Sequence, residues 1–214
     1  MTGAGAPARR GPLVAIDGPA GSGKTTVSRA LAERLAVDRL DTGAMYRAVT
    51  WLALARGVDL TDGPALGLLA RRGCLEVGER VVADGTDVTA AIRSPEVSAS
   101  VSLVAAHPEV RAVLVERQRR WVSERSGAVV EGRDIGSVVL PDADVKVYLD
   151  AAPEERARRR ADERAAGVAR RDELDRGRAA SPLAVAEGAR VIDTTGRAVG
   201  DIVEEIVGWL TTTR

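Results

Sequence analysis

The chain has no phenylalanine, and three tryptophans and two tyrosines are its whole aromatic content. Aliphatic side chains must therefore fill its core. A single cysteine, Cys74, rules out an intramolecular disulfide and suits a reducing cytoplasm, where the protein is expected. No apolar run approaches the roughly 20 residues of a membrane span, so no membrane partner is expected. The opening MTGAGAPARRG carries two arginines with no apolar stretch behind them, and residues 1–12 read as a flexible tail rather than a signal peptide. Net charge is missing as well. The 31 basic and 31 acidic residues cancel, which gives no bulk attraction to nucleic acid or an anionic surface. Lysine is nearly absent: Lys24 and Lys146 are the only two among those 31 basic residues.

One of the two lysines sits in the most informative stretch. Gly18 to Thr25 reads GPAGSGKT and fits the phosphate-binding pattern G-x-x-x-x-G-K-[ST] at every fixed position. Backbone N–H groups of such a loop wrap a β-phosphate, Lys24 can reach the β- and γ-phosphates, and the Thr25 hydroxyl can bind Mg²⁺. A compact ammonium suits this cradle better than a forked guanidinium. Leu13 to Ile16 is a short apolar run that suits a buried parallel strand, and Thr26 to Ala36 reads as a helix with Val27, Leu31 and Leu35 on one stripe. Strand, loop and helix together place an anion at a helix N-terminus. The candidate nucleotide-binding residues are Gly18, Pro19, Ala20, Gly21, Ser22, Gly23, Lys24, Thr25 and Thr26.

Further along, Asp41 or Thr42 can cap a helix running to about Arg56, with Thr42, Tyr46 and Arg47 near one face of its first turns. Asp62 to Arg72 is a short helical piece. Cys74 to Val77 and Val81 to Val88 alternate around Gly78 and Asp84-Gly85, which predicts a small antiparallel meander. Ser94-Pro95-Glu96 starts a helix, and Pro108 breaks it before a longer one to about Arg125. Ser102 and Arg111 flank that break, and Arg111 read alone is a solvated helix residue. Ala128 to Glu131 is a second buried strand, with Arg133 and Asp134 at its carboxyl end, where open α/β sheets bind ligands. A structural Arg133–Asp134 pair is the alternative. Neither residue fits a magnesium-binding aspartate after four apolar residues. Val145 to Leu149 is a third strand. Arg156 to Arg164 form an arginine-dense helix whose mixed charge is that of a solvated face. Arg171, Asp175 and Arg178 share one helix face. Val191 to Thr194 and Ile202 to Leu210 complete the alternation of strand and helix.

GPAGSGKTT followed by LDTGAMYR resembles the opening of bacterial cytidylate kinases, in the nucleoside monophosphate kinase group. EGRDIGSVVLPDADVKVYLD (Glu131 to Asp150) and LDRGRAASPL (Leu174 to Leu183) match further, so the resemblance runs from Leu13 through nearly the whole chain. It implies ATP on the phosphate loop, with Mg²⁺ on Thr25, and CMP or dCMP as acceptor. Thr42, Tyr46, Arg47, Ser102, Arg111, Arg133, Asp134, Arg171, Asp175 and Arg178 are then the acceptor-binding residues. By that resemblance Ser102 and Arg111 contact the cytosine, Asp134 takes a hydrogen bond from its amino group, and Arg133 holds the acceptor's phosphate. Arg171 and Asp175 bind the ribose hydroxyls, and Arg178 lies on the phosphate side. Lys24, Arg133 and Arg159 are the implied catalytic residues. The stretch between Arg160 and Arg170 is shorter than the family's usual lid.

The expected fold is an α/β, three-layer parallel-sheet phosphate-loop core with a small antiparallel insert on the substrate side and a short helical lid. A single kinase domain over 13–214 would comprise a core (13–57, 102–155 and 179–214), an insert at about 58–101 and a lid at about 156–178. A monomer acting on small molecules is expected. Two other readings stay open here: a phosphate-loop kinase for a different monophosphate, and a nucleotide-binding module without catalysis. The absence of an N-K-x-D motif weakens a GTPase switch.

Overall fold

The computed structural model describes residues 11–159 and 184–212. Five parallel strands form one sheet: β1 (Leu13–Asp17), β2 (Asp38–Asp41), β6 (Ala128–Glu131), β7 (Val145–Asp150) and β8 (Arg190–Asp193). Their order across the sheet is β2-β6-β1-β7-β8, which puts β1 in the centre between β6 and β7. Parallel neighbours need crossovers, and helices supply them. The strand alternation then divides the core in two. Leu13 and Ala15 face α2 (Thr42–Ala55), α3 (Gly63–Arg72), α4 (Pro95–Val104) and α5 (Pro108–Ser123), while Val14 and Ile16 face α1 (Lys24–Leu35) and α7 (Val199–Thr212). Aliphatic side chains such as Ile16, Leu31, Leu114 and Ile206 are the largest fully buried groups.

A second, antiparallel sheet of β3 (Leu75–Val77), β4 (Val81–Ala83) and β5 (Thr86–Asp87) sits beside α2, as the turn signals predict. A 3-10 turn at Ala91–Arg93 leads from it into α4. After β6 the chain makes a π-helical turn, Ile135–Val139, and after β7 a short helix, α6 (Pro153–Arg159). Helix boundaries shift from the sequence expectation at two places. Helix α1 begins two residues earlier, at Lys24, directly on the left-handed Gly23, and ends where Ala36 turns left-handed (φ 50°). The last helix spans 199–212; Val199 extends its apolar stripe one turn before the expected start at Ile202.

Candidate active site

The phosphate loop leaves β1 through backbone that only glycine holds without strain. Gly18 has φ +148°, and a Cβ there would lie 2.0 Å from the Leu149 carbonyl oxygen. Gly21 has φ +78°, and its Cβ would lie 2.6 Å from the Arg156 carbonyl oxygen. No side chain caps α1 and no acid occupies its first turn, which leaves its first N–H groups and dipole for an anion. Lys24 Nζ donates to the carbonyls of Gly18 (2.8 Å) and Pro19 (2.7 Å), so the ammonium rests on its own loop.

A cavity of about 250 Å³ opens beside this loop at the carboxyl ends of β1, β2 and β6. It is lined by Ala20, Gly21, Gly23, Lys24 and Thr25 from the loop and by Thr42, Tyr46 and Arg47 from α2. Ser102, Arg111, Arg133, Asp134 and Arg159 line it as well. Gly18, Pro19 and Ser22 lie buried behind, and Thr26 is exposed on α1. Arg171, Asp175 and Arg178 fall outside the described residues.

Arg111 corrects its sequence reading. It is only 5% exposed, lies 5.9 Å from the Tyr46 ring centroid, and donates through Nη2 to Asp134 Oδ2. Helix α5 packs its Arg111 face inward, so the guanidinium sits where an aliphatic residue would ordinarily be. Arg133 and Asp134 therefore do not pair with each other. Arg133 Nη1 donates to the Gly18 carbonyl, which ties the residue to the phosphate loop. Asp41, not Thr42, caps α2 by accepting from Ala44 N (3.1 Å). The Thr42 hydroxyl instead donates to the Glu131 carbonyl at 2.7 Å. Arg47 Nη1 reaches Ile92 O (2.9 Å) and Ser98 Oγ (2.8 Å), joining α2 to α4.

Arg159 approaches from α6. Its Nη1 donates to Thr194 Oγ1 and its Nη2 to Thr194 O, both at 2.9 Å, and Thr194 Oγ1 donates to Ser22 O at 3.1 Å. Arg156 Nη1 reaches Ala20 O at 3.2 Å. Arg156 thus docks on the phosphate loop directly and Arg159 through Thr194.

Two buried carboxylates were not singled out from the sequence. Glu131 accepts from Thr25 Oγ1 (3.0 Å), Ser28 Oγ (2.9 Å) and Arg39 Nη1 (2.8 Å). Burial pushes its carboxyl up to about 7, Asp41 adds to the rise, and Lys24 and Arg39 oppose it. Its signal was present: Ala128-Val129-Val130 is an apolar strand that ends on this acid. Asp17, the last residue of β1, accepts from Ile135 N (2.7 Å) and Gly136 N (2.8 Å). Burial raises it to about 6, although both backbone donors act against the rise.

With this geometry in place, the comparisons are decisive. A family model described as cytidylate kinase matches residues 14–212. The chain belongs to the cytidylate kinase family. It is 48% identical to a cytidylate kinase of Shouchella clausii over 91% of this chain and 93% of that protein. It is 50% identical to one of Pelotomaculum thermopropionicum, over 92% of this chain and 94% of the relative. A bifunctional pantoate ligase/cytidylate kinase of Synechococcus sp. is also 50% identical, but the chain spans only 44% of its length. Among solved structures, a gluconokinase from Sinorhizobium meliloti aligns at TM-score 0.52 and 15% identity, covering 95% of this chain and 94% of that one. A sugar kinase from Janibacter sp. gives 0.51 and 15%, over 94% and 95%. These two likenesses show the fold alone.

Proposed function

We propose that the chain transfers the γ-phosphoryl group of ATP to CMP, and to dCMP. What carries the reading is one cavity with the phosphate loop at one side and the buried Arg111–Asp134 pair among its other walls. The first suits a triphosphate, and the second offers a directed carboxylate and guanidinium to a base edge. Ser102 and Arg111 would contact the cytosine, and Asp134 would accept from its amino group. Arg133, already bound to Gly18 O, would hold the acceptor phosphate beside the donor. In this reading residues 58–101 serve as the acceptor-side insert and 156–178 as the lid, with Arg171, Asp175 and Arg178 completing the acceptor side.

Transfer runs in line. The attacking oxygen belongs to a phosphate that is already anionic near neutral pH, so no general base is required. Positioning and charge neutralisation do the work. Lys24 exchanges its loop carbonyls for the β- and γ-phosphate oxygens, and Arg133 and Arg159 approach the transferring group from opposite sides. The residues present also fit Mg²⁺. The Thr25 hydroxyl meets the Glu131 carboxylate, both hard oxygen donors. Among the described residues no cluster of three acidic, histidine or cysteine side chains could cage a metal alone. That donor set suits an ion that keeps waters and phosphate oxygens around it. Thr25 and Glu131 would hold such an ion, which would supply charge neutralisation to the bound phosphates.

A coupled ADP-release assay with Mg-ATP and each of CMP, dCMP, UMP, AMP, GMP and dTMP tests the proposal. Turnover confined to CMP and dCMP is expected. Equal turnover of UMP would overturn cytosine selectivity, and ATP binding without turnover of any acceptor would make the chain a nucleotide-binding module.

A further inference from the structure

We infer that Asp17 is a positioning residue that holds the acceptor-recognition turn against the donor loop; this rests on the acceptor site proposed above. Asp17 is 3% exposed and is not among the residues that line the cavity. Its two carboxylate oxygens accept from Ile135 N and Gly136 N, the two residues that follow Asp134. Those amides open the π-helical turn, and the first N–H groups of a helical turn have no partner of their own. Asp17 supplies one from another strand.

The clamp is reciprocal. Asp17 reaches from β1 to the turn with its side chain, and Arg133 reaches back from the turn to Gly18 O, one residue beyond Asp17. Gly132 N also donates to Ile16 O at 2.9 Å, so three consecutive residues of the β1 end hold the 132–136 segment. Between these anchors lies Asp134, whose backbone (φ −147°, ψ 28°) is outside regular structure. Where its carboxylate points depends on where Ile135 and Gly136 are held.

The two ends of the clamp differ in rigidity. Asp17 belongs to the central strand and is in register with Tyr148 of β7 on its other side. Removing its carboxylate leaves its backbone fixed by the sheet, with the phosphate loop starting from it at Gly18. The turn has left the sheet at Gly132 and loses an anchor. Donor binding should therefore survive a change that acceptor binding does not.

Asp17→Asn tests this in the full chain. The amide matches the carboxylate in size but can accept only one N–H, and its own NH₂ faces the other. The KM for CMP is expected to rise about tenfold or more, the size of losing one buried hydrogen bond to a charged group. The KM for ATP should stay within about twofold, and preference for CMP over UMP should fall with the displaced Asp134. Amide exchange at Ile135 and Gly136 should accelerate. If CMP and ATP constants move together, or neither moves, the inference fails. Should Asp17→Asn not fold, Asp17→Glu keeps the charge and overshoots the turn by one methylene. It must show the same split at smaller size, and equal losses for both substrates overturn the inference. Wild-type protein that turns over no CMP counts against the proposed function alone. Asp17 is then judged by faster exchange at Ile135 and Gly136 in the variant, and unchanged exchange would sink it.

Discussion

Three side chains separate what the site needs from what the fold needs. Lys24 Nζ donates to carbonyls of its own loop, Gly18 and Pro19, and joins no distant elements through them, so Lys24→Ala should leave the melting temperature within a few degrees. Turnover should fall about 10²- to 10³-fold, the usual loss when one donor to a transition-state charge is removed. Steady-state assay beside a thermal melt checks both halves. Asp134 is different because its loss leaves Arg111 buried without its carboxylate. Asp134→Ala should cost about 3–5 kcal/mol of stability by that route. The double variant Arg111→Met/Asp134→Leu should recover much of this, since packed apolar groups tolerate the space, yet remain unable to select CMP. Recovery of selectivity with recovery of stability would make the pair structural. Gln118 shows the converse. It is 1% exposed, and neither its Nε2 nor its Oε1 has a hydrogen-bond partner among the described residues. Gln118→Met keeps the shape without the unmet amide and should raise stability by about 1 kcal/mol in urea denaturation.

At the scale of elements, local pattern carried most of the information. Strands β1, β6 and β7 announce themselves as short apolar runs, and α3 and α4 by Asp62 and Ser94, whose side chains accept from Ala65 and Val97. The glycine loop was readable because its backbone demands are local. The acids that organise the site were not, because each acts across distant sequence: Thr25 to Glu131 spans 106 residues, and Ile135 to Asp17 spans 118. The arginine-rich α6 misled for the same reason. Composition gave it a solvated face, whereas Arg156 and Arg159 find carbonyls and a hydroxyl on loops far away in sequence. Helix α7, none of whose residues lines the cavity, offers a clean test of the layering. Ile206 of α7 is fully buried in the core face it shares with α1, Val14 and Ile16. Ile206→Ala should cost about 2–5 kcal/mol of unfolding free energy. The KM for either substrate should not change while the protein stays folded, because no residue of α7 lines the cavity. A shift in KM at full folding would show that this face communicates with the cavity.

The whole molecule carries the cost of concentrating charge at one end of its sheet. Asp17 and Glu131 lie at the carboxyl ends of adjacent strands, and burial raises them to about 6 and about 7 from ordinary values of 3.8 and 4.5. For Asp17 the unfolded chain releases its proton near pH 4, whereas the folded protein keeps it to about pH 6. Between those values the fold binds more protons than the unfolded state, so this group's contribution to stability falls as pH rises through the window. Below it both states are protonated, and above about pH 6 the penalty is complete. The displacement corresponds to about 3 kcal/mol. Most carboxylates act the other way, so the raw acid profile of the protein mixes opposing slopes. The difference between wild type and Asp17→Asn isolates one of them. Urea denaturation at intervals from pH 4 to 7.5 should show wild type losing about 3 kcal/mol relative to the variant across that range, with the slope confined below about pH 6.5. A difference independent of pH would mean that Asp17 ionises as freely in the fold as in the unfolded chain. The charged form is the one that accepts freely at both carboxylate oxygens. An ionised Asp17 accepts from the backbone amides of Ile135 and Gly136, and an ionised Glu131 accepts from the hydroxyls of Thr25 and Ser28 together with Arg39. Stability given up at the strand ends thus ties the start of α1 and the 132–136 turn to the sheet beside the cavity.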